Sequence, residues 1–158
     1  YTHDIWLSDH SDMIDNLRSV DSFENIIVVC GNEQGQSEDA LLSKGSELLI
    51  NRNNILFDLH AYEKWLNNST QVAIEERIES INTAGFALIF GEVSPINVGG
   101  VMNVTNFLAA VENKNKSTLA WLWNKNSNDV QSLMNDSGTE NDVNNNNWGS
   151  TFRSYLAQ

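Results

Sequence analysis

An α/β fold on a parallel sheet is predicted, and three observations predict it. Short continuous apolar runs of strand length alternate with longer stretches whose apolar residues recur at helical spacing. Their order is one helix, then strand–helix four times over, the order that crossover connections between parallel strands produce. The 158 residues are 41% hydrophobic, enough for a core and too much for a disordered chain.

The first helix is expected over Asp9 to Val20, with Met13, Ile14, Leu17 and Val20 on its inner face and Ser8 or Asp9 as N-cap. Ile26 to Cys30 is a continuous apolar run headed by β-branched residues and reads as a strand buried on both faces. Glu38 to Ile50 is a helix through Leu41, Leu42, Leu48 and Leu49, and Ile55 to His60 a second strand. Gln71 to Ala84 is a helix with Val72, Ile74, Ile78 and Ile81 inside and Gly85 as its stop. Phe86 to Phe90 is a third strand. The helix Val101 to Glu112 follows, with Val104, Phe107, Leu108 and Val111 inward. Leu119 to Trp123 is the fourth strand and Trp148 to Leu156 a short closing helix. Two architectures fit this order: an open doubly wound sheet, or half of a (β/α)8 barrel. Gly31, Gly35 and Gly45 do not make a dinucleotide fingerprint, which weakens a nucleotide-binding reading.

Charge narrows the partners. With 21 acids against 9 bases the formal charge is −12, which disfavours nucleic acid and anionic membrane surfaces. No apolar run approaches the roughly 18 residues of a membrane span. Cys30 is the only cysteine, so no intrachain disulfide and no cysteine-based zinc site is expected. No metal and no cofactor is expected. Tyr1 to His10 is polar and charged and does not read as a signal peptide. Asparagine occurs 23 times, and the run Asn144 to Asn147 reads as a polar loop. Sequons begin at Asn67, Asn68, Asn103, Asn115 and Asn135, a number that this much asparagine produces by chance.

In a barrel the working residues collect where strands end. The first strand runs into Gly31-Asn32-Glu33-Gln34-Gly35-Gln36, the second into His60-Ala61-Tyr62-Glu63, the third into Gly91-Glu92-Val93-Ser94, and the fourth into Trp121-Leu122-Trp123-Asn124. A carboxylate at Glu92 follows the apolar run Phe86 to Phe90 and sits at the edge of a low-dielectric core. A phenol and an imidazole, Tyr62 and His60, are suited to hold it by hydrogen bonds. The indole of Trp123 presents a flat face to the C–H face of a sugar ring, and Trp121, two residues earlier, is expected one layer deeper in the core. Carboxylate, orienting His and Tyr, and an indole platform are parts of a retaining glycosidase.

These stretches resemble glycoside hydrolase family 5. Asn54-Ile-Leu-Phe-Asp-Leu-His-Ala-Tyr-Glu63 is similar to the sixth barrel strand of its β-mannanases, which carry a pattern like N-T-V-F-S-I-H-M-Y-E. Ala84 to Glu92 resembles the seventh strand, Leu119 to Asn126 the eighth, and Asn147-Trp148-Gly149 the turn before the last helix. Val28-Val29 with Gly35-Gln36 resembles the fifth strand and its G-Q loop.

The resemblance implies that residues 1–158 are one partial domain, (β/α) units corresponding to strands 5–8 of a (β/α)8 TIM barrel. It implies a retaining endo-β-1,4-mannanase or cellulase-like enzyme with Glu92, His60 and Tyr62 as catalytic residues. Trp123, Glu33, Gln36 and Asn124 are the implied contacts to a β-linked polysaccharide or oligosaccharide, and secretion is implied. The family's acid/base lies in an Asn-Glu pair after the fourth strand. Asn32-Glu33 has that form but falls on the fifth-strand loop, so it is not taken as the acid/base, and the chain is expected to begin just after the true pair. Gln34 stands where mannanases often carry Trp. A half-barrel of this kind is expected to pair with a missing N-terminal half or to form a homodimer, and to be weak or inactive alone. The alternative is a catalytically inactive carbohydrate-binding or self-assembling half-barrel.

Overall fold

The computed structural model describes residues 1–66 and 70–158; the sequons at Asn67 and Asn68 begin outside the described residues. Helix α1 (His3–Arg18) leads into strand β1 (Ile27–Cys30), helix α2 (Asp39–Leu48) and strand β2 (Ile55–Ala61). The short helix α3 (Glu63–Leu66), helix α4 (Gln71–Thr83) and strand β3 (Leu88–Val93) follow. A two-stranded hairpin, β4 (Ile96–Asn97) and β5 (Gly100–Val101), precedes helix α5 (Val104–Asn113), strand β6 (Ser117–Ala120) and helix α6 (Trp148–Leu156). The main sheet has the order β1-β2-β3-β6, and β1 pairs with β2 in parallel, Cys30 opposite Asp58. The chain divides into two compact units, Tyr1–His60 with Glu79–Ile89, and Ala61–Ile78 with Phe90–Gln158.

In the first unit α1 begins six residues earlier than its periodicity predicts. Thr2 caps it, its hydroxyl accepting from the Ile5 amide at 3.3 Å. The buried residues are Trp6 and Ile14, whereas Met13, Leu17 and Val20 are exposed. Trp6 decides the face: an indole buries far more area than a methionine, and its Nε1–H donates to the Cys30 carbonyl at 2.9 Å. On α2, Leu41 and Leu48 are buried but Leu42 is exposed. Strand β1 is not buried on both faces: Ile27 and Val29 are covered, while Val28 is 53% exposed. The alternation of covered and exposed residues shows that one face is covered and the other is not.

In the second unit Val104, Phe107, Leu108 and Val111 are all buried along α5, as the spacing predicts. The helix starts at Val104 rather than Val101, because Val101 pairs with Ile96 in the hairpin. Asn103 caps α5 by accepting from the Asn106 amide at 3.1 Å. On α4, Val72 is exposed, against expectation, while Ile74 and Ile78 are buried; Ile81, the next turn of that helix, is buried in the first unit. Trp65, Phe90 and Phe107 pack edge to face, with centroids 5.0, 5.8 and 4.9 Å apart, and the Arg77 guanidinium lies 3.8 Å from the Trp65 ring centroid. Each such aromatic pair adds about 0.5–1.5 kcal/mol beyond its area burial.

Among the described residues, six of the ten non-glycine residues with positive φ are asparagines: Asn51, Asn54, Asn115, Asn144, Asn146 and Asn147. Asparagine tolerates the left-handed region better than other side chains. Six of the 23 asparagines thus sit in left-handed turns. Asn147 opens α6 in that conformation. The glycine after it, Gly149, packs so closely that a Cβ would lie 2.5 Å from the Leu133 carbonyl oxygen and 2.7 Å from the Asn141 amide nitrogen.

Candidate active site

Parallel strands deliver their C-terminal ends to one rim. In the second unit the Ser94 amide donates to the Ala61 carbonyl at 3.2 Å, which brings the ends of β2 and β3 together. Tyr62 is the first residue past β2 and Glu92 the penultimate residue of β3. The Tyr62 hydroxyl donates to Glu92 Oε2 at 2.6 Å, a short bond of the kind a carboxylate acceptor makes. Tyr62 is buried and Glu92 half-buried. Burial first, and then the hydrogen bond to Glu92, push the Tyr62 phenol well above its ordinary value near 10. The phenol therefore stays a donor throughout the neutral range.

The surroundings fix this pair. Phe90 lies two residues before Glu92 and Trp65 three after Tyr62, and both belong to the aromatic cluster around Phe107. The Tyr62 carbonyl accepts from the Trp65 amide at 2.9 Å, turning the chain into α3.

His60, which ends the first segment of the first unit, has Nε2 3.3 Å from Asp58 Oδ2. Its backbone N–H donates to the Gly35 carbonyl at 2.8 Å, and the ring packs on Gly35, where a Cβ would lie 2.6 Å from Nδ1. Asp58 is buried, and the Cys30 thiol donates to the same Oδ2 at 3.7 Å. Reading strand ends alone missed Asp58 and Cys30. The available signal was parity, since Asp58 and His60 are two apart on one strand and share a face.

The remaining expected contacts are spread over two loops. Glu33 is exposed with φ +51°, and Gln36 is buried. Asn32 is buried and its Oδ1 accepts from the Ala40 amide at 3.2 Å. It thus serves the start of α2, whose N-cap Glu38 makes no side-chain cap bond. Asn124 is half-buried, its Oδ1 accepting from the Lys125 amide at 2.8 Å. Trp123 is 77% exposed and lines a concavity of about 400 Å³ with Leu133, Met134, Phe152 and Arg153. Trp121 is not core: it is 40% exposed. Strand β6 spans Ser117 to Ala120 rather than Leu119 to Trp123, and Trp121 follows it on the parity of the exposed Ser117 and Leu119. The Trp121 carbonyl accepts from Trp148 Nε1–H at 3.0 Å.

Among the described residues no helix is long and apolar enough to cross a membrane, and Cys30, Asp58 and His60 form the one group of three or more side chains with metal-ligating spacing.

Several solved glycosidase structures share this fold. A β-mannanase from Streptomyces thermolilacinus is 23% identical with a TM-score of 0.70, over 81% of this chain and 43% of that one. The mannotriose complex of the Thermomonospora fusca β-mannanase is 22% identical with a TM-score of 0.72, over 94% and 52%. A cellulase, Cel5C_n, is 14% identical with a TM-score of 0.68, over 96% and 47%. The chain thus spans about half the length of these structures or less. No curated protein matches it. Residues 2–127 match the family model described as cellulase (glycosyl hydrolase family 5). With most of its length under that model, on a parallel α/β sheet that superposes on family enzymes, the chain belongs to glycosyl hydrolase family 5.

Proposed function

We propose that this chain supplies the C-terminal half, strands five to eight, of a retaining endo-β-1,4-glycosidase barrel acting on β-mannan or β-glucan, with Glu92 as nucleophile. The observation that carries this reading is the 2.6 Å bond from Tyr62 to Glu92 at adjacent strand ends in a family 5 chain. Glu92 attacks the anomeric carbon as the glycosidic C–O bond breaks, and a second carboxyl group about 5–5.5 Å away protonates the leaving oxygen. Water then hydrolyses the glycosyl ester, with that second group as base. Tyr62 orients the carboxylate and shares its charge until the bond to carbon forms. His60 contacts the sugar at the cleavage site, Trp123 stacks on a ring beside it, and Gln36, Glu33 and Asn124 meet sugar hydroxyls. Glu33, on the loop after β1, is not taken as the second carboxyl group. The acid is assigned to a complementing half, and the chain alone is weak or inactive. Secretion fits a polysaccharide substrate.

A second reading, a self-assembling half-barrel, is favoured by exposed apolar side chains on the two outer strands. Val28 on β1 is 53% exposed and Leu119 on β6 is 56% exposed. Outer strands also carry unpaired backbone groups that invite pairing. Either a homodimer or the N-terminal half of a barrel satisfies both.

The decisive experiment uses a 2-fluoro glycoside with an activated aryl leaving group, which departs without protonation and so bypasses the missing acid. The full chain is expected to carry the label on Glu92 by peptide mass spectrometry, and Glu92→Gln to carry none. Labelling elsewhere, or none in the chain supplemented with strands one to four, refutes the assignment. A monomer at high concentration refutes the assembly, and hydrolysis by this chain alone that Glu33→Gln abolishes identifies Glu33 as the acid.

A further inference from the structure

We propose that Cys30, Asp58 and His60 form a binding site for a late first-row divalent cation of the Zn²⁺ class, at the C-terminal ends of β1 and β2. The site goes beyond the glycosidase reading, with which it shares His60, and rests on the geometry of the three side chains alone.

Three features of the fold assemble it. The parallel register sets Cys30 opposite Asp58, and the strand period sets His60 on the same face as Asp58. The three ligand atoms, Sγ, Oδ and imidazole N, all lie within 4.8 Å of one another. With Zn–S about 2.3 Å and Zn–N or Zn–O about 2.0–2.1 Å, the ligand atoms of a tetrahedral site stand about 3.3–3.6 Å apart. The observed separations from Asp58 Oδ2 are 3.3 Å to His60 Nε2 and 3.7 Å to Cys30 Sγ, close to that spacing.

The chemistry fits as well as the spacing. Thiolate, imidazole and carboxylate are the donor set of zinc rather than of calcium or magnesium, which take oxygen. A thiolate and a carboxylate bring the charge of a divalent ion to zero, which suits the buried Asp58. Binding exchanges the thiol proton for the metal, so one proton leaves Cys30 as the S–metal bond forms. The imidazole is already oriented, its Nδ1 side resting on Gly35 where any Cβ would collide. Three protein ligands leave a fourth position for water or another exchangeable ligand, as in the open sites of zinc enzymes. Counting cysteines could not find this site, because two of its ligands are not cysteine.

Titrating the full chain with Co²⁺ tests it. The expected result is a thiolate-to-cobalt charge-transfer band in the near ultraviolet together with the d–d pattern of four-coordination. Zn²⁺ should abolish both and raise the melting temperature. Losing only a hydrogen-bond partner of a ligand costs about 10–100-fold in affinity, so Asp58→Asn and His60→Gln are expected to lose at least about 100-fold. Cys30→Ser should remove the charge-transfer band altogether. One arm needs no variant: Cys30 is the only thiol, so Zn²⁺ should slow its alkylation in the wild-type chain. Co²⁺ spectra without the sulfur band, or alkylation unaffected by saturating Zn²⁺, overturns the proposal.

Discussion

Replacing Tyr62 by Phe deletes one oxygen and leaves the aromatic packing. It removes the donor of the 2.6 Å bond to Glu92 from a buried position. Hydrogen bonds to charged groups contribute about 1.5–3 kcal/mol. With Glu92 half-buried, the middle of that range, about 2 kcal/mol, is the expected loss. For a chain of this length it lowers the melting temperature by about 4–8 °C. The pH dependence identifies the cause. The folded-state phenol titrates above its unfolded value near 10, so the folded chain keeps a proton that the unfolded chain gives up. That stability is fully present below pH 10 and is lost as pH rises beyond it. Above that point the wild type loses about 1.4 kcal/mol per pH unit from this group, and the Phe variant loses nothing from it. The gap, about 2 kcal/mol near pH 8, should therefore be smaller near pH 11. Urea unfolding of both proteins at the two pH values measures it; the other tyrosines titrate in both and cancel. Equal stabilities near pH 8, or a gap that does not change with pH, would refute the reasoning.

Trp123→Ala removes a side chain 77% exposed, so stability should move by no more than about 0.5 kcal/mol. Oligosaccharide affinity, read by calorimetry on the complemented barrel, should fall by about 1–3 kcal/mol, the range of stacking on an aromatic face. Unfolding of the variant would mark Trp123 as core instead. Gly149→Ala forces a methyl group to within 2.5 Å of the Leu133 carbonyl oxygen, and a loss of about 1–3 kcal/mol in a denaturant melt is expected. Val98 and Gly99 have φ +46° and +78° between the paired Asn97 and Gly100. A β-branched residue is unsuited to that tight turn, so Val98→Asn should gain about 1 kcal/mol in the same assay, and a loss would show that the side chain is needed there.

The order of elements was legible because helix and strand periods are local properties. Val104, Phe107, Leu108 and Val111 point inward on α5 as their spacing requires, and the apolar run at Ile55 is a strand. The family was legible for the same reason: strand-end residues such as Glu92 and Tyr62 stand in order along the chain. Spacing also marks a stripe, but not which neighbour covers it. Met13 and Leu17 on α1 are exposed because Trp6, outside the expected helix, took the inner position. Val28 and Trp121 each carry the signature of a buried residue, yet each is exposed. The 2.6 Å contact of Tyr62 with Glu92 spans 30 positions, and that of Cys30 with Asp58 spans 28. Local composition determined that these residues end strands. Strand pairing and register, which are tertiary choices, decided which of them meet, because only backbone hydrogen bonding between distant segments fixes who stands opposite whom.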